Sequence, residues 1–527
     1  MNPSLPTVAV IGAGFSGTVV AAHLLRSAGR PLRVILIDRS GREGRGVAYG
    51  TSSPRHVLNV PAGRMSAFVG DEDHFLRFAK GKDVSVVGGS FVPRRLYGDY
   101  LQATLRLAAN EGAHRGSLLE RRTGDVADLV HDDAGGVQLH LTDGTRLAAD
   151  RVIVALGNFA PANPPVPGSE AFYASGRYVR DPWREGALDT IPSDAPVALV
   201  GTGLTMLDVA VELSARGRTA PLHAISRRGL VPLSHRPHGA PPSYGHLPPE
   251  LIACEPTAVA YLRAIRRHVR QIATDGIDWR EVVASLRPVT PRLWETLSSE
   301  ERRRFLRHAR PYWDVHRHRV APELHQVFEA LRASGGLRLS AARVLHFAPD
   351  ADGVDVAIRR RGTDSAETLR VAMVINCTGP ESDVRAVGEP LLDALLARGT
   401  VRADASGLGL DVAPDGRLRR ADGTPNPHLW LAGPLLKGAY WEATAVPELR
   451  VHAARAAKHA LASLAHVTPE RAPRARPGGA QRRRSPARWG QTKTGRRMRA
   501  APLVFPSFPS RGSPSRYEVG GAKAECC

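Results

Sequence analysis

The chain has 527 residues, 43% hydrophobic and 23% charged, with a formal net charge of +21. At about 150 residues per domain, this length and apolar content suit two to four packed domains and exclude a fibrous or wholly disordered protein. The four cysteines, Cys254, Cys377, Cys526 and Cys527, are too scattered for a disulfide framework or a zinc site, and none forms the C-x-x-C pair of a dithiol redox enzyme.

Near the N-terminus, Thr7–Ile11 is a β-branched apolar run and reads as a strand. Gly12-Ala13-Gly14-Phe15-Ser16-Gly17 follows, then a helix with apolar positions Val20, Leu24 and Leu25 at helical spacing. Arg33–Ile37 is a second strand and ends at Asp38. No Lys or Arg precedes the apolar stretch Val8–Leu25, and three glycines punctuate it. It therefore does not read as a signal sequence, and a cytoplasmic protein with no membrane partner is expected.

This βαβ unit carries G-x-G-x-x-G in the context that gives the motif meaning. Gly12 permits the tight turn, Gly14 lets the backbone approach a pyrophosphate, and Gly17 lets helix and strand pack closely. The amides of Gly14, Phe15, Ser16 and Gly17 open the helix and present a partial positive charge to phosphates. Asp38 stands where a carboxylate accepts hydrogen bonds from a ribose, with Arg39 beside it. The competing reading is a glycine-rich packing turn with an incidental surface acid.

Residues 40–95 are loop-rich, and a helix is expected over Leu96–Ala109. Thr123–Val130, Val137–Leu141 and Arg146–Ala148 alternate as a small antiparallel sheet with a hairpin turn at Asp143-Gly144. Val152–Ala155 is a buried strand that meets Leu156-Gly157. A second cycle begins at Val197–Val200, turns at Gly201-Thr202-Gly203, and continues as a helix through Met206–Ala215. Its next strand, Leu222–Ile225, ends in Ser226-Arg227-Arg228. Arginine at that position pairs with a 2′-phosphate where a carboxylate would repel it, so NADPH is favoured and NADH is the alternative. The competing reading makes Arg227 and Arg228 ordinary solvated charges.

Residues 245–333 read as mostly helical. Strands return at Val354–Ile358, Val371–Asn376 and His428–Ala432, the last closing at Gly433. A helix is expected from Glu448 to Leu464. The segment from Val467 to Cys527 holds 14 Lys/Arg against three Glu, which places about half of the net charge in a Pro/Arg/Ser/Gly-rich tail that reads as disordered.

Several segments resemble two-dinucleotide flavoproteins, in particular the bacterial FAD/NAD(P)-binding family that includes the FAD-dependent urate hydroxylase. They are Gly46-Val47-Ala48-Tyr49, Leu58-Asn59-Val60-Pro61 with Met65, Asp181-Pro182-Trp183, the run Arg310–Arg319, and Gly433-Pro434-Leu435 with Trp441-Glu442 and Ala445–Glu448. The resemblance implies that Gly124-Asp125-Val126 brings a backbone amide to the adenine, that Val152–Gly157 forms the strand-to-glycine turn, and that Leu429–Gly433 is the C-terminal flavin strand. The acidic residue usual after that last glycine is replaced by Pro434.

The resemblance further implies an FAD monooxygenase that uses NAD(P)H and molecular oxygen on a small polar or anionic metabolite, such as a urate-like heterocycle or an amino acid. Candidate pocket residues are Asn59, Trp441 and Glu442. For Trp441 the competing reading is core packing, and for Glu442 a helix-start carboxylate. His316 and His318 fall on different helix faces without an acidic cluster, so no metal site is expected.

The expected fold class is α/β, with two Rossmann-like dinucleotide-binding domains. The FAD domain is discontinuous (residues 1–185 and 369–467), the NAD(P)H domain is inserted with helical elaboration (186–368), and the tail spans 468–527. Two alternatives stay open: a flavin reductase without oxygenation, and a polyanion-binding protein acting through the tail. The basic stretch of the tail from Arg482 to Arg499 carries only Trp489 as an interleaved aromatic and no recognised module, so nucleic acid is not the expected partner.

Overall fold

A computed structural model describes residues 5–132, 135–236 and 245–464. The expected tail lies outside the described residues. β1 (Thr7–Ile11) is buried at every position, as befits a parallel strand covered on both faces. It feeds α1 (Phe15–Ser27), which buries almost its whole circumference, and then β2 (Arg33–Asp38). α2 (Arg94–Ala113) leads to β3 (Leu118–Thr123). The strands β4 (Val126–Asp132), β5 (Gly136–Leu141) and β6 (Arg146–Ala149) form a separate antiparallel sheet, and β7 (Arg151–Val154) follows. Gly144, between β5 and β6, has φ 84°, as the hairpin turn requires.

The inserted part contains β8 (Tyr178–Val179), β9 (Val197–Val200), α3 (Leu204–Ser214), β10 (Leu222–Ser226) and a group of helices that ends with α4 (Arg310–Arg317) and α5 (Pro322–Ala333). Then come β11 (Leu337–Pro349), β12 (Val354–Arg360), β13 (Ala366–Val371) and β14 (Met373–Asn376). The chain closes with β15 (Arg417–Arg419), β16 (Pro425–Leu431) and α6 (Val446–Leu464).

Two sheets result. The first has the order β15-β16-β7-β1-β2-β3, and the second β13-β12-β11-β10-β9-β14-β8. In the first, β1 lies between β2 and β7, parallel to both; in the second, β9 lies between β10 and β14, again parallel to both. Each is a topological switch point, where the chain crosses from one side of a central strand to the other. Such a crossing leaves a crevice beyond the carboxyl ends of the strands. The crevice of the first sheet opens at Gly12 and that of the second at Gly201. The fold is thus two Rossmann-like α/β domains, the first discontinuous and the second inserted into it.

Some details differ from the sequence-based expectations. β3 was not expected; it is a largely exposed edge strand whose Glu-Arg-Arg run conceals its pairing with β2. The 13-residue β11 was also not expected. It leaves its parallel pairing with β10 to pair antiparallel with β12 across an irregularity between Val344 and His346, which breaks the alternation in sequence. β8 and β14, which flank the expected boundaries 185/186 and 368/369 from outside, both pair within the second sheet. Its paired strands therefore run from Tyr178 to Asn376.

One face of the first sheet is covered by α1, α2 and α6 around Val19, Leu24, Leu105 and Ala453. The other face is covered by the small sheet and a short helix bearing Leu391 and Leu395. Polar contacts cross from this domain to the inserted one. Arg94 Nη2 is 2.8 Å from Asp208 Oδ2 of α3, with both side chains largely buried. Ser53 Oγ donates to Glu212 Oε2 on the same helix at 2.5 Å. No helix among the described residues is long and apolar enough to cross a membrane.

The Arg94–Asp208 pair yields a stability prediction. Asp208→Ala leaves a buried guanidinium without its carboxylate and is expected to cost about 3–5 kcal/mol. The double variant Arg94→Met/Asp208→Leu, which removes both charges, is expected to recover most of that loss. Urea midpoints of the two variants and the parent measure it; equal losses in both variants refute it.

Candidate dinucleotide sites and the interdomain cavity

The glycines of the first turn serve different ends. Gly12 has φ 96°, and a Cβ there would lie 2.4 Å from the carbonyl oxygen of Ala155, the residue after β7. A Cβ on Gly17 would lie 1.8 Å from the carbonyl oxygen of Gly12. The protein's own backbone forbids side chains at both. A Cβ on Gly14 would meet only Gly46 Cα, at an ordinary 3.8 Å. The fold alone does not exclude a side chain at Gly14, and the open space beside its backbone is what a close-approaching pyrophosphate needs. No side chain caps α1, so its leading amides face that space.

Other predicted residues converge here. Gly433 (φ 112°) would place a Cβ 3.3 Å from Ser16 Oγ, so the end of β16 meets the start of α1. Gly157 has φ 78° and open space about it. Asp38 Oδ2 accepts from Ala13 N at 2.9 Å, and Oδ1 accepts from Ser40 N and Oγ at 2.9 and 2.6 Å. A carboxylate oxygen has two lone pairs, so Oδ2 keeps one for a ribose hydroxyl. Phe15 is buried and stacks on Tyr97. Val126 is buried at the start of β4, and Arg39 bridges Asp125 (3.1 Å) and Glu389 (2.6 Å).

The second turn repeats the pattern. Gly201 has φ 108°, and its Cβ would lie 2.4 Å from Cys377 O beyond β14, whereas Gly203 has nothing within 4 Å. Thr202 Oγ1 lies 2.8 Å from Ser226 Oγ and 2.5 Å from Leu230 O, fixing the loop after β10. Arg227 lines a shallow basin with Arg343, Arg359, Arg360 and Arg361. Arg228 turns elsewhere: its Nη2 is 3.4 Å from Arg307 O and its guanidinium lies 5.9 Å from the Tyr312 ring. The sequence reading found Arg227 but not its companions, though the run Arg359–Arg361 was the available signal.

A cavity of about 230 Å3 lies between the domains. Tyr49, Asn59, Arg64 and Met65 wall it from the first domain, His235, Arg317 and Arg319 from the inserted one, and Thr444–Val446 from the start of α6. The structure thus places Asn59 on the cavity. His235 Nε2 lies 3.1 Å from Asn59 O, and because a carbonyl only accepts, Nε2 carries the proton. Burial, reinforced by the charge of Arg319, lowers the His235 pKa to about 3.

Glu442 stands behind the cavity wall. Its Oε2 lies 2.8 Å from Arg317 Nη2, and its Oε1 accepts from Trp313 Nε1 at 3.1 Å. Burial opposes its charge, but Arg317, His318 and Arg287 outweigh burial and hold the carboxyl below its ordinary range. Trp441 does not line the cavity. It is buried against Trp294, ring centroids 4.9 Å apart, with Lys437 over its face. His316 packs edge-on against Trp279, while His318 lines the cavity. The sequence reading missed His235, Arg64, Arg317 and Arg319 as wall residues, although Arg317 and Arg319 lie in the singled-out run Arg310–Arg319.

Comparisons with known proteins agree with this geometry. Residues 9–159 match a family model described as FAD-NAD(P)-binding. No curated protein sequence matches the chain. Among solved structures, the reduced form of ornithine hydroxylase from Pseudomonas aeruginosa superposes with a TM-score of 0.58 at 17% identity, covering 88% of this chain and 100% of that one. Kutzneria sp. 744 ornithine N-hydroxylase, with reduced FAD, NADP+ and L-ornithine, gives 0.56 at 16%, covering 86% and 98%. L-lysine 6-monooxygenase from Pseudomonas syringae gives 0.58 at 17%, covering 87% and 99%. At these identities the likeness is one of fold.

Two outcomes are expected. Gly17→Ala is expected to lose the native fold, as read by circular dichroism and solubility. Gly14→Ala is expected to fold with an unaltered melting temperature yet lose affinity for its nucleotide; tight FAD binding by Gly14→Ala refutes that assignment.

The second concerns pH. Burial lowers the pKa of His235 to about 3 and of His23 and His452 to about 4, against 6.5 in the unfolded chain. Below pH 6.5 the unfolded chain takes up protons that the folded one refuses. Stability present above that pH is therefore lost as pH falls, by up to about 1.4 kcal/mol per unit for each histidine. Melting temperatures between pH 7 and 5 are expected to decline, and His235→Asn is expected to flatten the decline; an unchanged slope in that variant refutes the contribution.

Proposed function

We propose that the protein is an FAD-dependent monooxygenase that draws electrons from NADPH and hydroxylates a small polar or anionic metabolite. The observation that carries this reading is the pair of equivalent glycine turns. In each, the fold itself forbids a side chain at the first glycine and leaves room at the second. The resemblance to the family that includes urate hydroxylase and the shared fold with ornithine and lysine hydroxylases both support an oxygenating flavoenzyme. Urate-like heterocycles and amino acids are the substrates these two likenesses favour.

The residues have the following roles. The turn Gly12–Gly17 and the start of α1 hold the FAD pyrophosphate, and Asp38 holds the adenosine ribose. Gly157 and Gly433 keep the strand ends clear of side chains beside the cofactor. Gly201 and Gly203 hold the pyrophosphate of NADPH, and Arg227 with Arg343, Arg359, Arg360 and Arg361 takes its 2′-phosphate. The bound flavin supplies hydride acceptance and oxygen activation. The cavity wall supplies what a flavin does not: enclosure from water and a fixed orientation for the substrate. Asn59, held through its own carbonyl by His235, orients the ligand. Glu442, neutralised by Arg317, shapes the wall and leaves no uncompensated negative charge behind it. Trp441 acts as a positioning residue for Glu442.

The purified full chain is expected to be yellow or to take up added FAD, and Asp38→Ala to retain less of it. Arg227→Ala is expected to weaken NADPH use about tenfold, the loss of one charge-assisted phosphate contact, with little effect on NADH, which lacks that phosphate. With urate-like and amino-acid substrates supplied under 18O2, the label is expected in the product of the substrate that stimulates NADPH consumption. A chain that takes up no FAD defeats the proposal. Oxygen returned wholly as hydrogen peroxide with every substrate makes the protein a reductase or oxidase instead.

A further inference from the structure

Arg64, Arg287, Arg317 and Arg319 line the interdomain cavity. Arg317 pairs with Glu442 at 2.8 Å, and Arg287 Nη2 with Glu448 Oε2 at 3.0 Å. These carboxylates neutralise the wall and fix it. Arg319 differs. Two donors of each arginine, Nε and Nη2 of Arg317 and Nε and Nη1 of Arg319, make no hydrogen bond, but among the described residues Arg319 also forms no ion pair, and it is only 5% exposed. Its guanidinium lies 5.8 Å from the centre of the Trp279 ring, which steadies the cation but does not occupy its in-plane donors.

The surroundings do not remedy this. Asp278, an acid whose charge acts on Arg319, is itself engaged by Arg280 at 2.9 Å. Burial, with the charges of Arg317 and Arg280, lowers the Arg319 pKa to about 10, so it still carries its charge near neutrality. His235 across the cavity is neutral and spends its proton on Asn59 O. A buried cation with unspent donors is costly, and an anion entering the cavity relieves that cost. The nucleotide phosphates have their own places at the glycine turns, where helix amides meet them, and a cavity of about 230 Å3 is too small for another nucleotide.

We propose that Arg319 is the anion anchor of this cavity and takes the carboxylate of a small-molecule substrate. That the ligand is a substrate rests on the flavoenzyme reading above; that the cavity takes a carboxylate rests on Arg319. The guanidinium forms charge-assisted hydrogen bonds to the carboxylate, and Asn59, Val60 and Pro61 wall the rest of the molecule. A substrate lacking a negative group leaves the donors unsatisfied and is rejected, so Arg319 determines specificity by charge.

Benzoate and its neutral isostere benzamide test this on the full chain loaded with FAD. Thermal-unfolding shifts and the visible flavin spectrum provide two independent readouts. Benzoate is expected to give a saturable response and benzamide to bind at least about tenfold more weakly. Arg319→Gln is expected to raise the benzoate Kd by about tenfold or more, with Arg319→Lys in between and FAD content unchanged in both. Equal binding of benzoate and benzamide, no saturable benzoate response, or benzoate binding by Arg319→Gln at the wild-type Kd overturns the proposal. So does loss of FAD or of NADPH affinity in a folded Arg319→Gln with benzoate binding intact, since the anion would then be a cofactor phosphate. If Arg319→Gln fails to fold, the wild-type benzoate/benzamide ratio and Arg319→Lys decide. A chain that takes up no FAD defeats the flavoenzyme reading alone, because the thermal shift still reports whether the cavity takes an anion.

Discussion

Both sheets depend on backbone pressed against backbone at the end of a central strand. Gly12 meets the carbonyl of Ala155 and Gly201 the carbonyl of Cys377, each so closely that a methyl group would sit 2.4 Å from oxygen. Only glycine tolerates both that approach and the positive φ of the turn. The contact locks the exit of β1 against the exit of β7, and that of β9 against that of β14. The following helix is then held with its leading amides over the switch-point crevice. The second glycine of each turn escapes this constraint, so packing within the fold does not account for its missing side chain.

Charge pairing does the corresponding work between the domains. Buried ion pairs contribute little net stability, since desolvation consumes most of the attraction, but they penalise every arrangement that separates the partners. Arg94–Asp208, Arg287–Glu448 and Arg317–Glu442 each join the first domain to the inserted part. They fix how the two crevices face the cavity more than they hold the chain folded. Arg319 stands out against this background, since among the described residues it forms no ion pair.

The parts of the fold legible in the sequence were those buried on both sides. β1, β7, β9 and β14 are short, buried at every position, mostly apolar and followed by small residues, so strand, turn and helix could be read from local composition. The small sheet β4–β6 was legible from alternation and its Asp-Gly turn. β3 and β11 were not, because an exposed edge carries charged residues and an irregular strand loses its period. The two glycine turns were legible because their backbone constraints fall on nearly consecutive residues. The cavity was not, because its walls come from segments far apart in sequence, and no local pattern places Asn59 beside His235.

Trp441 shows how such a wall can depend on a residue that never reaches it. Among the described residues it is the one non-glycine with positive φ, 55°, a strained conformation for a bulky side chain. The stack on Trp294 and the cation over its other neighbourhood hold it there, and its amide bonds to Lys437 O at 2.8 Å. The sharp turn delivers the next residue, Glu442, inward to Arg317. Were the backbone to relax, Glu442 would withdraw, and Arg317 would keep only the more distant Glu448 carboxylate, 3.9 Å away. The strain at Trp441 therefore keeps the Glu442 carboxylate against Arg317, whereas no carboxylate pairs with Arg319 among the described residues.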